Sequence, residues 1–257
     1  MLSAGLWPGT LRATDAASGE FRFIALNDLH CEDQACGEWL QSRVVRQIKA
    51  TKEPIDFCLV LGDLVEKGTP AELTLVRDVL KEIGLPAHVV PGNHDYATDN
   101  ERKSYDECFP HSLNYRFDHK GWQFIALDTT HGTQYDNISV QPGTLQWIDG
   151  QTPKMSKSKP TIAFTHFPLG EKVRYRPKNA EDVLERFVDH NLKLVLSGHF
   201  HGQTERQSRY TTLTTSPCCA LKRKNHDNTP QKGYHVYHVK DGSIKRQFVE
   251  VSTVQER

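Results

Sequence analysis

The chain has 257 residues, of which 37% are hydrophobic and 25% are charged. This length and balance are typical of one folded globular domain and exclude a disordered or collagen-like chain. Lys and Arg (32) equal Asp and Glu (32), so the formal net charge is +0. Such a chain is not expected to bind duplex nucleic acid, and no apolar run is long enough for a transmembrane segment.

Residues 1–20 are predicted to be either an N-terminal arm or the remnant of a signal peptide. Residues 1–13 are largely apolar and end in Leu-Arg-Ala, but no positively charged leader precedes them. A signal remnant would place the protein outside the cytoplasm, in the periplasm, and an ordinary arm would leave it cytoplasmic. Residues 21–257 are predicted to form a single domain.

Five short apolar runs predict buried β-strands. The runs are continuous rather than alternating, as expected when both faces of a sheet are covered. They are Phe21–Leu26, Phe57–Leu61, Ala87–Val90, Thr161–Phe164 and Leu192–Leu196.

Helical periodicity separates the first three runs. Thr69, Pro70 and Glu72 have the spacing of an N-cap, a first helical residue and a capping box. Strand–helix–strand alternation favours an α/β sheet with right-handed crossovers. The two apolar helix faces consist of Leu40, Val44, Val45 and Ile48, and of Leu73, Val76, Leu80 and Ile83.

The second half of the chain is richer in predicted strands. Residues 114–128 and 233–251 each have the pattern of a β-hairpin, and residues 210–215 predict a further strand. Two mixed β-sheets packed face to face, with helices outside, accommodate both halves. The predicted fold is therefore a four-layer αββα sandwich.

Each of the five apolar runs leads into polar residues suited to binding a metal. Ligands bind at the carboxyl ends of strands in open α/β sheets. Any one of these motifs also occurs in turns, and a lone His is more often structural, so the prediction depends on the ordered set. The candidate ligands are Asp28, His30, Asp63, Asn93, His166, His199 and His201.

These seven oxygen and nitrogen ligands exceed the needs of one tetrahedral ion. Their number is right for two ions that share a bridging carboxylate. Because no ligand is a Cys, two divalent or trivalent ions of Mn, Fe or Zn are favoured. Two such ions would activate a bridging hydroxide for in-line attack on phosphorus.

The ordered motifs resemble those of the calcineurin-like metallophosphoesterase superfamily. Its D-x-H, G-D, G-N-H-[DE], H and G-H-x-H blocks are all present between Phe21 and about His201. The resemblance implies that one metal binds Asp28, His30, Asp63 and His201. It implies that the other binds Asp63, Asn93, His166 and His199, with Asp63 bridging.

The resemblance also implies two catalytic residues beside the metals. His94 would protonate the leaving oxygen or stabilise charge in the transition state, and Asp95 would orient His94.

Departures from the family's motifs narrow the expected activity. Glu66 stands where purple acid phosphatases have a Tyr ligand, and Lys67 stands where Ser/Thr protein phosphatases have a phosphate-holding Arg. The string VVPGNHDY is most similar to the bacterial cyclic-nucleotide-phosphodiesterase-like branch.

The first hypothesis is therefore a phosphodiesterase acting on a small phosphoester. The alternatives are a phosphomonoesterase, a nuclease for small oligonucleotides and a non-catalytic scaffold of the same fold. Composition and motifs leave the oligomeric state open.

Four residues are candidates for binding substrate. Arg174, Tyr175 and Arg176 follow the His166 loop, where Arg suits phosphate oxygens and Tyr suits stacking on a base. Tyr96 follows the G-N-H-D motif and either lines the pocket or packs in the core. The basic run 222–224 is expected to be a solvated surface.

The six Cys residues do not predict a disulfide framework. Cys31 and Cys36 would pair if the protein is exported, or would remain thiols otherwise. Adjacent Cys218 and Cys219 would pair with each other only under strain.

Overall fold

The computed structural model describes residues 19–253 of the chain. The arm or signal remnant predicted for residues 1–20 lies outside the described residues, except for Gly19 and Glu20. Within residues 19–253, no helix is long and apolar enough to cross a membrane.

Within residues 19–253, eleven strands form two mixed sheets. The first sheet has the order β11-β10-β1-β2-β3 and the second has the order β4-β5-β6-β7-β9-β8. Both sheets are mixed: β1–β2, β2–β3 and β6–β7 are parallel pairs, whereas β1–β10, β10–β11 and β8–β9 are antiparallel. The strands are β1 (Phe21–Leu26), β2 (Phe57–Leu61), β3 (Ala87–Val90), β4 (Tyr115–His119), β5 (Trp122–Leu127), β6 (Thr161–Thr165), β7 (Leu192–Ser197), β8 (Thr204–Ser208), β9 (Thr211–Thr215), β10 (Gly233–Lys240) and β11 (Ser243–Glu250).

In the described part of the chain, six α-helices connect the strands. The predicted capping box is present, because Thr69 accepts a hydrogen bond from the Glu72 amide and Glu72 accepts one from the Thr69 amide. The helices are α1 (Gln34–Trp39), α2 (Arg46–Lys49), α3 (Pro70–Glu82), α4 (Lys103–Cys108), α5 (Pro142–Gln151) and α6 (Ala180–Glu185). A π-helical stretch, Leu40–Val45, joins α1 to α2.

Three apolar cores separate four layers and explain why the strand sequences are continuously apolar. In β1, Phe23 packs between the two sheets, whereas Ile24 packs under α1–α3. The opposite face of the second sheet buries Ile125 and Val195 against α5 and α6, for example against Ile148. The predicted αββα sandwich is confirmed.

Two local features were not predicted. Edge strand β8 has a polar sequence, Thr-Glu-Arg-Gln-Ser, with exposed central residues, so it carries no apolar signal. The π-helical stretch keeps Leu40, Val44 and Val45 buried, so the apolar periodicity resembles that of an ordinary α-helix.

All six Cys residues are free thiols.

Candidate metal centre

The loops after β1, β2, β3, β6 and β7 bring all seven predicted ligands to one end of the two sheets, where their side chains are buried. Four of these residues have backbones in the left-handed region: Asp28 (φ 54°), His30 (44°), Asp63 (50°) and His199 (60°). This conformation is costly for residues with a Cβ, and such strain is concentrated at functional sites.

Glycines permit the loops to approach closely. A Cβ on Gly62, which has φ +81°, would lie 2.6 Å from His166 Nδ1. A Cβ on Gly92 would lie 2.2 Å from Asp63 Oδ1. The motif glycines are thus required by the packing of the site.

The ligand atoms form two groups that share one carboxylate. Cluster A contains Asp28, His30, Asp63 and His201, whose ligand atoms lie within 4.8 Å of one another. Cluster B contains Asp63, His166 and His199 within the same limit, and Asn93 Oδ1 lies 3.3 Å from His166 Nε2.

The second ring nitrogen of each of the four histidines binds an oxygen outside the clusters. Because a carbonyl or carboxylate oxygen accepts only, these contacts fix an N–H at that nitrogen and direct the other ring nitrogen, the one able to bind a metal, toward the site. The four pairs are His30 Nδ1 with Glu66 Oε2 (3.0 Å), His166 Nδ1 with Leu61 O (2.8 Å), His199 Nε2 with Tyr135 O (2.8 Å) and His201 Nδ1 with Lys224 O (3.2 Å).

The two carboxylates are also held in place. Asp28 accepts hydrogen bonds from the His199 amide at 3.0 Å and from Asn27 Nδ2 at 2.6 Å. Asp63 Oδ1 accepts one from the His94 amide at 2.9 Å. The remaining carboxylate lone pairs face the histidine nitrogens.

Electrostatics at the site favour positive charge. Burial disfavours ionisation of Asp28 and Asp63, but neighbouring histidines outweigh it and hold both pKa values below the usual range. Burial would likewise lower the pKa of His166, but Asp63 and Asp28 raise it to about 9. At His199, burial and the charge of His166 lower the pKa to about 3.

The donor set suits two metal ions on chemical grounds. The ring nitrogens converge: His30 Nε2 lies 3.3 Å from His201 Nε2, and His166 Nε2 lies 3.1 Å from His199 Nδ1. Buried carboxylates that stay ionised need a cation nearby. Nitrogen and oxygen donors of this kind bind first-row transition metals.

His94 lies beside Asp63, but Asp95 does not orient its ring. The His94 ring donates from Nδ1 to the Glu66 carbonyl at 2.8 Å. Asp95 instead accepts hydrogen bonds from the amides of Gly92 (2.7 Å) and Val65 (3.2 Å). The prediction that Asp95 orients His94 is wrong, because the carboxylate is fully buried beneath the loops and fixes their backbones.

A cavity of about 670 Å³ opens above the clusters. Tyr96 and Tyr175 line it, so both remain candidates for binding substrate. Arg176 does not line it, because its guanidinium binds the Leu169 carbonyl and the Glu181 side chain. Arg174 does not line it either, and lies over the Tyr175 ring at 4.5 Å from its centroid.

Sequence reasoning missed the role of Glu66 and Arg223 at the cavity. Arg223 forms an ion pair with Glu66, and its Nη2 lies 3.2 Å from His94 Nε2. The solvated surface predicted for residues 222–224 is therefore wrong for Arg223, although it holds for the exposed Lys222. The sequence signal was one arginine in a basic run, and the loop that directs it inward has no recognisable motif.

The family model for calcineurin-like phosphoesterases matches residues 21–203, which is most of the chain. The chain belongs to this family.

Two curated relatives are phosphodiesterases by name. A probable cyclic nucleotide phosphodiesterase of Synechococcus is 30% identical over 173 residues, which are 65% of this chain and 66% of that protein. The glycerophosphodiester phosphodiesterase GpdQ of Enterobacter lignolyticus is 28% identical over 198 residues, which are 68% of this chain and 66% of that protein. Each match thus spans slightly less than two thirds of the relative's length.

A solved structure supports the fold assignment. A dimetal phosphatase from Danio rerio matches with a TM-score of 0.69 and 16% identity, over 91% of this chain and 97% of that one. At this identity the likeness concerns the fold alone.

Proposed function

We propose that the chain is a dinuclear-metal-dependent phosphoester hydrolase that acts on phosphodiesters. The observation that carries this proposal is the pair of clusters joined at Asp63, in which every histidine directs one ring nitrogen to the site. Cluster A and cluster B would each hold one ion of Mn, Fe or Zn, as nitrogen and carboxylate donors allow. Two bound ions would polarise a water molecule and neutralise phosphoryl oxygens.

The chain's own residues position this chemistry. Asp63 would join the two sites, while its contact with the His94 amide ties the G-N-H-D turn to them. The Nδ1 contact of His94 leaves its Nε2 on the cavity side, where a leaving oxygen would need a proton or a charge partner. The water oxygen would form a new P–O bond as one P–O ester bond breaks, and a proton released by that water would pass through His94 Nε2 to the leaving oxygen, so that the product leaves as an alcohol.

The diester preference rests on the curated relatives, which are named for cyclic nucleotide and glycerophosphodiester phosphodiesterases. The aromatic rings of Tyr175 and Tyr135 at the cavity wall, with centroids 6.5 Å apart, offer a surface for the organic part of a small phosphoester.

The test uses purified protein, stripped of metal and then reconstituted separately with Mn, Fe or Zn. Hydrolysis of bis-(p-nitrophenyl) phosphate is compared with that of p-nitrophenyl phosphate. We expect metal-dependent turnover with the diester hydrolysed faster. Faster monoester hydrolysis would instead identify a phosphatase, and no turnover with two ions bound would contradict the hydrolase proposal.

A further inference from the structure

A loop beyond the family match contributes to the cavity. The segment 216–232 connects β9 to β10 and follows the matched residues 21–203. Its backbone contacts the site directly: His201 donates to the Lys224 carbonyl, and the Cys219 amide donates to the Asn27 carbonyl at 2.9 Å. The loop is thus fixed to His201 of cluster A and to Asn27, the residue before Asp28.

The backbone at Arg223 is anchored from within the same loop. The buried ammonium of Lys232 donates to the Arg223 carbonyl. Asn225 accepts from the Cys218 amide at 2.9 Å and donates to the Gln231 carbonyl at 2.6 Å. These contacts set the point from which the Arg223 side chain enters the cavity.

The guanidinium is held between two residues of the site. Its Nε donates to Glu66 Oε2 at 3.0 Å and its Nη2 donates to His94 Nε2 at 3.2 Å. Glu66 also accepts a hydrogen bond from His30 of cluster A. The His94 amide donates one to Asp63, the carboxylate that the two clusters share. The Arg223 side chain is 38% exposed, so an incoming ligand can reach it.

We propose that Arg223 positions the phosphoryl group of the substrate, an inference that rests on the proposed function. Two of its N–H groups would exchange their contacts with His94 and Glu66 for non-bridging phosphoryl oxygens. A planar guanidinium matches such oxygens in a bidentate way, and releasing His94 Nε2 frees that atom to face the leaving oxygen.

Lys67 is the other fixed cation among the described residues that line the cavity. An ammonium is a point charge without the guanidinium fork. At the family position where protein phosphatases carry an arginine, this chain has Lys67. The geometry at Arg223 indicates that loop 216–232 supplies the guanidinium group instead.

The experiment compares Arg223→Ala, Arg223→Lys and, as a matched control from the same basic run, Lys222→Ala. Lys222 is paired with Glu32 and Asp33 and does not line the cavity. We expect Arg223→Ala to raise both KM and the Ki of inorganic phosphate by about 10- to 100-fold, the usual effect of a charged hydrogen bond. Metal content and Tm stay at the wild-type level, Arg223→Lys recovers part of the loss, and Lys222→Ala changes neither constant.

Two outcomes would overturn this inference. Unchanged KM and Ki in an active Arg223→Ala protein would show that the arginine does not contact the phosphoryl group. Lost metal or a lower Tm with an unchanged Ki would make Arg223 a structural support for Glu66.

Failure of the proposed function would look different. In that case the wild type, with two ions bound, hydrolyses no ester. Calorimetric titration of wild type and Arg223→Ala with inorganic phosphate then tests the arginine by binding alone, and equal affinities would overturn its assignment.

Discussion

The two clusters share Asp63 but are supported in different ways. In cluster A, His30 is held by the side chain of Glu66, which is 21% exposed and also pairs with Arg223. In cluster B, His166 is held by the Leu61 carbonyl at the end of β2, and its side chain is fully buried. A strand carbonyl cannot rotate away, whereas a carboxylate side chain can. We therefore expect cluster B to bind its ion more tightly than cluster A.

The largest expected effect comes from removing the shared carboxylate charge. Asp63→Asn replaces the charged ligand that both clusters share with a neutral amide, so both ions should be lost and turnover should fall by at least about 10³-fold. Metal content by elemental analysis and hydrolysis of the diester measure the change. Asp118→Asn is the control, because Asp118 is exposed and pairs with Lys159. Retention of one ion per chain in Asp63→Asn would show that the clusters do not share this ligand.

His94 tests whether the catalytic effect can be separated from metal binding. His94→Ala removes a ring that lies beside both clusters but belongs to neither proposed ligand set. We expect turnover to fall by about 10²- to 10⁴-fold, as for a lost general acid, while two ions per chain remain. Near-normal turnover would refute the role of His94, and loss of metal would place it among the ligands.

Glu66 tests the difference between the clusters directly. Glu66→Ala leaves His30 Nδ1 without its acceptor, so the affinity for one ion should fall by about 10- to 100-fold while the other ion stays bound. Competition with a chelator, followed by elemental analysis, resolves the two ions. The exposed Glu107 supplies the control, Glu107→Ala. Equal weakening of both ions would mean that cluster A is not the looser one.

The sequence predicted the central strands well because both their faces are buried. Every residue of β2, for example, is buried, so its apolar run is uninterrupted. The polar edge strand β8 pairs through its backbone, and backbone pairing leaves no mark on a polar sequence. The hairpin β10–β11 was predicted because its turn, Asp241-Gly242, is recognisable in the sequence. The sequence of β8 carries no comparable signal.

At the site, the sequence indicated which residues meet but not what holds them. Residues directly after parallel strands must lie at the same sheet end, which is why the predicted ligands come together. Their supports come from elsewhere: His199 is held by the carbonyl of Tyr135, and His201 by that of Lys224. A carbonyl is present at every residue, so no side-chain pattern can reveal this use. The inward course of Arg223 depends on loop contacts of the same kind.

The smallest expected effect is a pH dependence of the metal-free protein, and it separates His166 from His30. Asp63 and Asp28 raise the pKa of His166 from the ordinary 6.5 to about 9 despite burial. The folded chain therefore binds this proton more tightly, so the stabilisation is complete below pH 6.5 and is lost as pH rises through about 9. Burial lowers the pKa of His30, so its contribution has the opposite sign and is lost as pH falls.

The Tm of the metal-free protein should therefore fall by several degrees between pH 6.5 and pH 9, since about 1 kcal/mol corresponds to roughly 2–4 °C in a chain of this size. His166→Asn should reduce that fall, and His30→Asn, the matched control, should not. A bound ion would take the place of the proton, so the metal-loaded protein should show a smaller dependence. An equal fall in wild type and His166→Asn would contradict the assignment, because the proton would then be held outside cluster B.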